Sequence, residues 1–294
     1  MNTQSNTASE TGDVMAAVTA VCRPLYWSVR RELWEYRSIY LAPLAAAGLF
    51  IIGFTIAAVR MRLHNDVVLP IVPFDVEPAL IMGVAFIVGV FYCLDALYGE
   101  RRDRSILFWK SLPVSDTTAV ISKLLIPLLI LPLVSCIIAV AAQFVVLLVS
   151  SAVFAGGVVS IASLWSQTSF IRVPAIWLYH LMTVHGLWYA PLYAWLLLVS
   201  AWAPRAPFLW AFLPPFVIYG VEKIAFNTSY FLDILKYRLT GPGGGMSSSQ
   251  ATGLTAAALI PDHFFSAPGL WTGLAVAAVF LYATVQLRRS RGPI

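Results

Sequence analysis

Charge is scarce in this chain of 294 residues: Asp, Glu, Lys and Arg make up 11 % of it, against 60 % apolar residues. A soluble domain of this size needs a far more polar surface, so the composition excludes one and specifies an integral membrane protein. Cysteine is scarcer still. Cys22, Cys93 and Cys136 have neither metal-ligand nor disulfide spacing, and the last two fall inside apolar runs, where they read as inert core thiols. Roughly the first twenty residues lack a strong apolar run, so no cleavable signal peptide is expected. Catalytic signatures are missing as well. There is no H-E-x-x-H pair, no G-x-S-x-G elbow and no Walker-type loop, and GPGGG at Gly241–Gly245 lacks the Lys-Ser/Thr that cradles a phosphate. His180 and His185 point about 140° apart on a helix, so they share no face. No catalytic residue, metal or cofactor is therefore expected on this chain. The net charge of +5 is spread along membrane boundaries rather than gathered for nucleic acid.

What the chain does contain is long apolar segments, at about Ile39–Val59, Ala79–Tyr98, Leu124–Val149, Ala175–Trp202, Pro207–Thr228 and Gly269–Leu287. Each is roughly 19 to 28 residues, and a helix crosses a hydrocarbon core with about 20. The expectation is an all-α polytopic membrane protein with about six transmembrane helices. Residues 1–38 form a tail and an interfacial helix, and residues 39–294 form the six-span domain. In the helix, Leu25, Val29, Leu33 and Tyr36 recur at helical spacing, and Trp27 and Trp34 flank that stripe, as in a helix lying in the headgroup layer. A plain cytosolic helix is the alternative. Two regions stay open: Ser150–Ile161 as loop or helix tail, and the outer segment 229–268, whose apolar arms can dip back into the membrane.

Basic residues orient the spans. With the N-terminus inside, about 13 Lys and Arg fall on the cytosolic side and about 5 outside, and both termini are cytosolic. That places the densest charged stretch, Glu100–Ser122, in the cytosol between spans two and three. Arg101, Arg102, Arg104 and Lys110 alternate there with Glu100 and Asp103 around an apolar knot, Ile106-Leu107-Phe108-Trp109. Pro113 then breaks the chain, and Ser115 or Asp116 can cap a new helix. A short amphipathic helix follows, with Phe108, Trp109 and Leu112 as a knob and Arg101, Asp103, Arg104 and Lys110 as a charged rim. The alternative is a loop that binds only anionic lipid, which explains the arginines but not the knot.

Inside the membrane each ionisable group costs at least about 2.5 kcal/mol and is a functional candidate. Asp95 sits near the inner end of span two and reads as pointing into the interfacial layer. Glu222 and His180 fall at similar depths, roughly 9 and 8 Å below the outer surface. They either pair, or Lys223 snorkels outward and Glu222 finds a hydroxyl, a backbone group or water. Pro214 and Pro215, flanked by Phe212 and Phe216, remove two backbone donors and are expected to kink or unwind the fifth span. That span then lines a pathway with an aromatic constriction or simply packs against its neighbours. The aromatic-rich spans favour an amphipathic, lipid-like or peptide-like substrate.

The stretches LYGERRDRSILFWKSLPVSDTTAVISK (Leu97–Lys123), LWYAPLYAWLLLVSAWAPRAPFLWA (Leu187–Ala211) and GVEKIAFNTSYF (Gly220–Phe231) resemble permease subunits of bacterial ABC-2 type ATP-binding-cassette exporters. The resemblance covers nearly the whole chain beyond the tail. It implies that loop 99–123 holds a coupling helix seated in a separate ATPase subunit, which alone uses ATP. It also implies an elbow helix before the first span, a partly re-entrant outer hairpin at 229–268, and a second permease copy or a related chain as partner. The location implied is the bacterial inner membrane, and the direction is export. Two other readings remain: an ATP-independent ion-coupled carrier using Glu222 (or a structural membrane anchor), and an intramembrane enzyme.

Overall fold

A computed structural model of the chain describes residues 23–64, 76–111, 114–154, 165, 172–240 and 264–292. The polar tail, Leu112, Pro113, Gly241–Gly245 and most of 150–161 lie outside these residues. Every described element is helical. The first, α1, covers residues 23–35. Its stripe of Leu25, Val29, Leu33 and Tyr36 is half-buried, and the last three pack on the main core. Trp27 and Trp34 stay exposed.

Five helical runs are long and apolar enough to cross a membrane: Ser38–His64, Val76–Arg102, Asp116–Val153, Pro207–Phe226 and Pro268–Ser290. A sixth forms if Pro174–Trp188 and Ala190–Trp202, bent by 49° at their junction, count as one broken span. In chain order the helices are α2 (Ser38–His64), α3 (Val76–Ala96), the short helices α4 (Tyr98–Arg102) and α5 (Ile106–Ser111), α6 (Asp116–Leu125) and α7 (Leu131–Phe154). After them come α8 (Arg172–His180), α9 (Ala190–Trp202), α10 (Pro207–Phe226), α11 (Tyr230–Thr240) and α12 (Pro268–Ser290). The charged loop begins with α4, the tail of the second run, and continues with α5 after a break at Arg104, whose φ of 59° is left-handed. The fifth span, α10, stays helical through Pro214 and Pro215, so the chain does not unwind there.

Apolar burial drives little association where the solvent is itself hydrocarbon, so small residues set the contacts by letting backbones approach. Ala47 of α2 and Ala142 of α7 meet around Ile81 of α3. Likewise Ala190 and Ala194 of α9 meet Ala277 of α12. Two π-helical segments, Ile126–Ile130 and Leu181–Trp188, interrupt the third and fourth spans and lie against each other. Pro127 supplies the first break, since it has no N–H for a tight helical turn. The contact requires Gly186, where a Cβ would stand 3.0 Å from the Leu128 carbonyl oxygen. Large apolar side chains such as Leu49, Phe91, Ile224 and Tyr282 are exposed around the bundle, the surface that lipid covers.

Candidate functional site

The charges converge at one end of the bundle. Glu32 of α1 is wholly buried; its Oε1 accepts from Lys123 Nζ at 2.9 Å, and its Oε2 accepts from the Tyr92 hydroxyl at 2.9 Å. Glu100 of α4 faces the same lysine at 3.1 Å, receives Arg31 at 2.9 Å, and meets Arg288 of α12 at 2.5 Å. Arg288 also reaches Asp116, at 3.0 Å. Arg31 pairs with its neighbour Glu32 and caps the Trp109 ring at 3.9 Å. Three carboxylates (Glu32, Glu100, Asp116) thus meet three cations (Arg31, Lys123, Arg288). Burial disfavours the charge of Arg31, but Glu32 and Glu100 more than offset this and hold its pKa above the ordinary guanidinium value. Beside the cluster, the Tyr36 hydroxyl donates to Asp95 at 3.1 Å; burial first, then Asp95, pushes that phenol well above its usual range.

This cluster welds four segments that are far apart in sequence. Ions buried this deeply hold only when every partner is present, and removing one typically costs about 3–5 kcal/mol. Further bonds brace the loop: Ser200 Oγ accepts from the Leu97 and Tyr98 amides at 3.1 and 2.9 Å. Ser115 caps α6 by accepting from the Thr118 amide at 3.0 Å, as its position before Asp116 predicts.

The docking candidates divide. Phe108 is 59 % exposed beside an equally open Leu107, while Ile106 is buried beneath them. Trp109 turns inward under Arg31 and packs edge-on against Phe108. Arg101 does not stand on a rim: it is buried and donates to the Ala201 and Ala203 carbonyls at 2.7 and 3.3 Å. Asp103 and Arg104 are exposed, the former paired with Arg102 at 3.0 Å. Lys110 donates to the carbonyls of Arg291 (3.1 Å) and Arg289 (3.4 Å). Leu112 lies outside the described residues.

The intramembrane candidates are not gathered at that end. Both oxygens of Glu222 are engaged by its own hairpin: the Thr228 hydroxyl at 2.8 Å and the Tyr230 and Phe231 amides at 2.7 and 3.0 Å. Asn227 makes this possible, because its left-handed φ of 52° ends α10 and turns the chain back over Glu222. Glu222 therefore follows the hydroxyl-and-backbone alternative, capping α11, in place of the pairing with His180. His180 closes α8. His185 lies in the π segment that follows, and its side chain is outside the described residues. Phe212, Pro215 and Phe216 line an apolar groove of about 420 Å³ between α10 and α11, and Pro214 sits half-buried beside it. Helix α11 folds back onto the α9 and α12 side: Arg238 donates to the Gly269 carbonyl at 2.8 Å and covers the Trp188 ring at 4.5 Å.

Spacing gives a signal for the cluster in hindsight. Glu32 falls between Val29 and Tyr36 on the apolar stripe of α1, and Lys123 falls on the same face as Val120 and Ile126. A carboxylate and an ammonium on buried faces imply partners for each other. Nothing in this arrangement pairs a nucleophile with a base. Among the described residues, no group of three His, Cys, Asp or Glu is placed to hold a metal. No family model, curated protein or solved structure matches the chain.

Proposed function

We propose that this chain is the membrane-spanning permease subunit of an ABC-2 type exporter in a bacterial inner membrane, with a separate ATPase and a second permease copy as partners. The observation that carries it is the pairing of an exposed apolar knob, Leu107 and Phe108, with a deeply buried ionic brace directly behind it. A partner that grips the knob moves α5, and Glu100, Arg101 and Lys123 pass the displacement into α1, α9, α12 and the third span together. The positive-inside bias supports a cytosolic position for this end. The ATPase hydrolyses ATP; this chain converts its closure into a change of access by rigid-body motion. The weakly covered α10, with Phe212 and Phe216 outward, offers the second copy a surface.

Recovery of an endogenous ATPase with the affinity-purified chain tests this reading. Wild-type protein should bring down an ATPase that Phe108→Asp loses; failure of the wild type to recover any ATPase after mild crosslinking in native membranes would sink it.

The ion-coupled carrier has one observation in its favour, and it concerns Glu77 rather than Glu222. Glu77, in the first turn of α3, is 2 % exposed, and its Oε1 has no hydrogen-bond partner among the described residues. A carboxyl so placed is a natural proton site. Proton-driven uptake or efflux in vesicles that Glu77→Gln abolishes would favour the carrier; gradient-independent behaviour would remove it.

A further inference from the structure

A second site lies beside the ionic cluster, where α1 crosses the loop after span two. It is a cleft of about 650 Å³, half open, lined by Arg23, Trp27 and Arg31 from α1, Trp109 and Lys110 from α5, and Arg288 from α12. Its volume is that of a small-molecule site, which typically runs roughly 300–1,000 Å³. Four cations face it, and the single carboxylate in its wall, Asp116, is already bound to Arg288 at 3.0 Å. The buried cluster is balanced by its own three carboxylates, so Arg23 and Lys110 are surplus: among the described residues neither meets a carboxylate. Arg31 has a spare donor too. Among the described residues its Nε is buried without a hydrogen-bond partner, the closest acid being Glu35 at 3.7 Å. A positively lined cleft with an unsatisfied guanidinium donor calls for an anion that offers several acceptor oxygens, which a phosphate does.

The position of the cleft says where that phosphate comes from. Tyr26, Trp27 and Trp34 are 60, 58 and 68 % exposed on α1, and Arg30 sits over the two tryptophan rings at 5.1 and 4.7 Å. Large aromatics open on a helix next to a span mark the headgroup layer of a bilayer. Basic pockets at this depth hold anionic headgroups. We propose that the cleft binds the phosphodiester headgroup of an anionic phospholipid, with Arg23, Lys110 and the half-buried Arg31 guanidinium around the phosphate and Trp27 beside the glycerol. The site needs only the membrane placement of α1 and stands independently of any ATPase.

Native mass spectrometry of the full-length chain, stripped from detergent in the presence of phosphatidylglycerol or phosphatidylcholine, tests it. One phosphatidylglycerol per chain should persist at energies that strip phosphatidylcholine. The pair Arg23→Gln and Lys110→Gln should lower its retention by about 10-fold or more, while the melting temperature in lipid-free detergent stays near wild type. The pair Arg60→Gln and Lys223→Gln, exposed cations away from the cleft, should leave retention unchanged. Equal retention of the two lipids, or equal loss in both pairs of variants, overturns the site. Millimolar inorganic phosphate that raises the melting temperature as much as phosphatidylglycerol, with loss of that effect in the Arg23/Lys110 pair, overturns the lipid as its source.

Discussion

Lys123 Nζ stands 2.9 Å from Glu32 Oε1, and the two side chains are exposed by 1 % and 0 %. One belongs to the helix that precedes the first span and the other to the start of the third. Nothing about either residue alone favours burial. An ammonium and a carboxylate hidden together are tolerated because each is further held, Glu32 by Tyr92 and Arg31, Lys123 by Glu100. The arrangement is a joint: α1, the loop and the third span move as one body because separating them exposes unpaired charge to a poor solvent.

Lys123→Met is accordingly expected to destabilise the protein by about 3–5 kcal/mol, since it leaves Glu32 with only Arg31, a cation it must share with Glu100. Combining it with Glu32→Gln should recover a substantial part of that loss, because the second change removes the stranded charge. Reversible unfolding in mixed micelles measures both. Strict additivity of the two changes would show that the pair is not coupled.

Helix ends and helix faces were legible in the sequence; their partners were not. Pro207 starts a helix where its chemistry says it does, Ser115 is the one of the two cap candidates that caps, and the stripe of Leu25, Val29 and Leu33 faces the bundle. Periodicity reports a face, however, and not what the face meets. Glu32 and Lys123 lie 91 residues apart, so the apolar face each sits on shows that it needs a partner but not which one. Arg101 misleads for the same reason: a basic residue in a charged loop reads as rim, whereas the carbonyls of Ala201 and Ala203, left open where α9 ends, draw it inward. Glu222 is a third instance. Its partners are local, but the left-handed turn at Asn227 that brings them back carries only a weak signature in sequence.

That turn predicts the behaviour of Glu222. Glu222→Ala removes the acceptor for three donors at the start of α11, so amide exchange at Tyr230 and Phe231 should quicken while the spans stay protected. His180→Ala should add independently to this effect. A non-additive double variant, with His180→Ala alone quickening exchange at Tyr230, would restore a link between the two residues.

Gly186 and Gly273 are both points of close approach, one backbone to backbone and one backbone to side chain. A Cβ at Gly273 collides with the Arg238 guanidinium, which can swing aside only by leaving Gly269 and Trp188. A Cβ at Gly186 meets the fixed Leu128 carbonyl at 3.0 Å. Gly186→Ala should cost about 1–3 kcal/mol through overpacking. Gly273→Ala should instead loosen α11, seen as faster proteolysis near Arg238. Gly53→Ala, with open space where its Cβ would sit, serves as the silent control in both assays.

Two neighbours in one short helix, α5, have separable roles. Phe108 and Trp109 sit edge to edge, 4.9 Å between ring centroids, yet they do different work. Phe108 is turned outward and meets only the edge of the Trp109 ring, so Phe108→Asp should leave the melting temperature near wild type and, on the proposed reading, abolish recovery of the ATPase. Trp109 supports the Arg31 guanidinium, a contact worth about 0.5–2 kcal/mol. Trp109→Leu should therefore lower stability by about that amount while leaving the partner bound, because the exposed face of Leu107 and Phe108 is unchanged. If the two variants lose the ATPase equally at equal stability, the partner grips the whole knot and Trp109 must turn outward to meet it. If neither loses it, the docking surface is elsewhere and α5 is a brace alone.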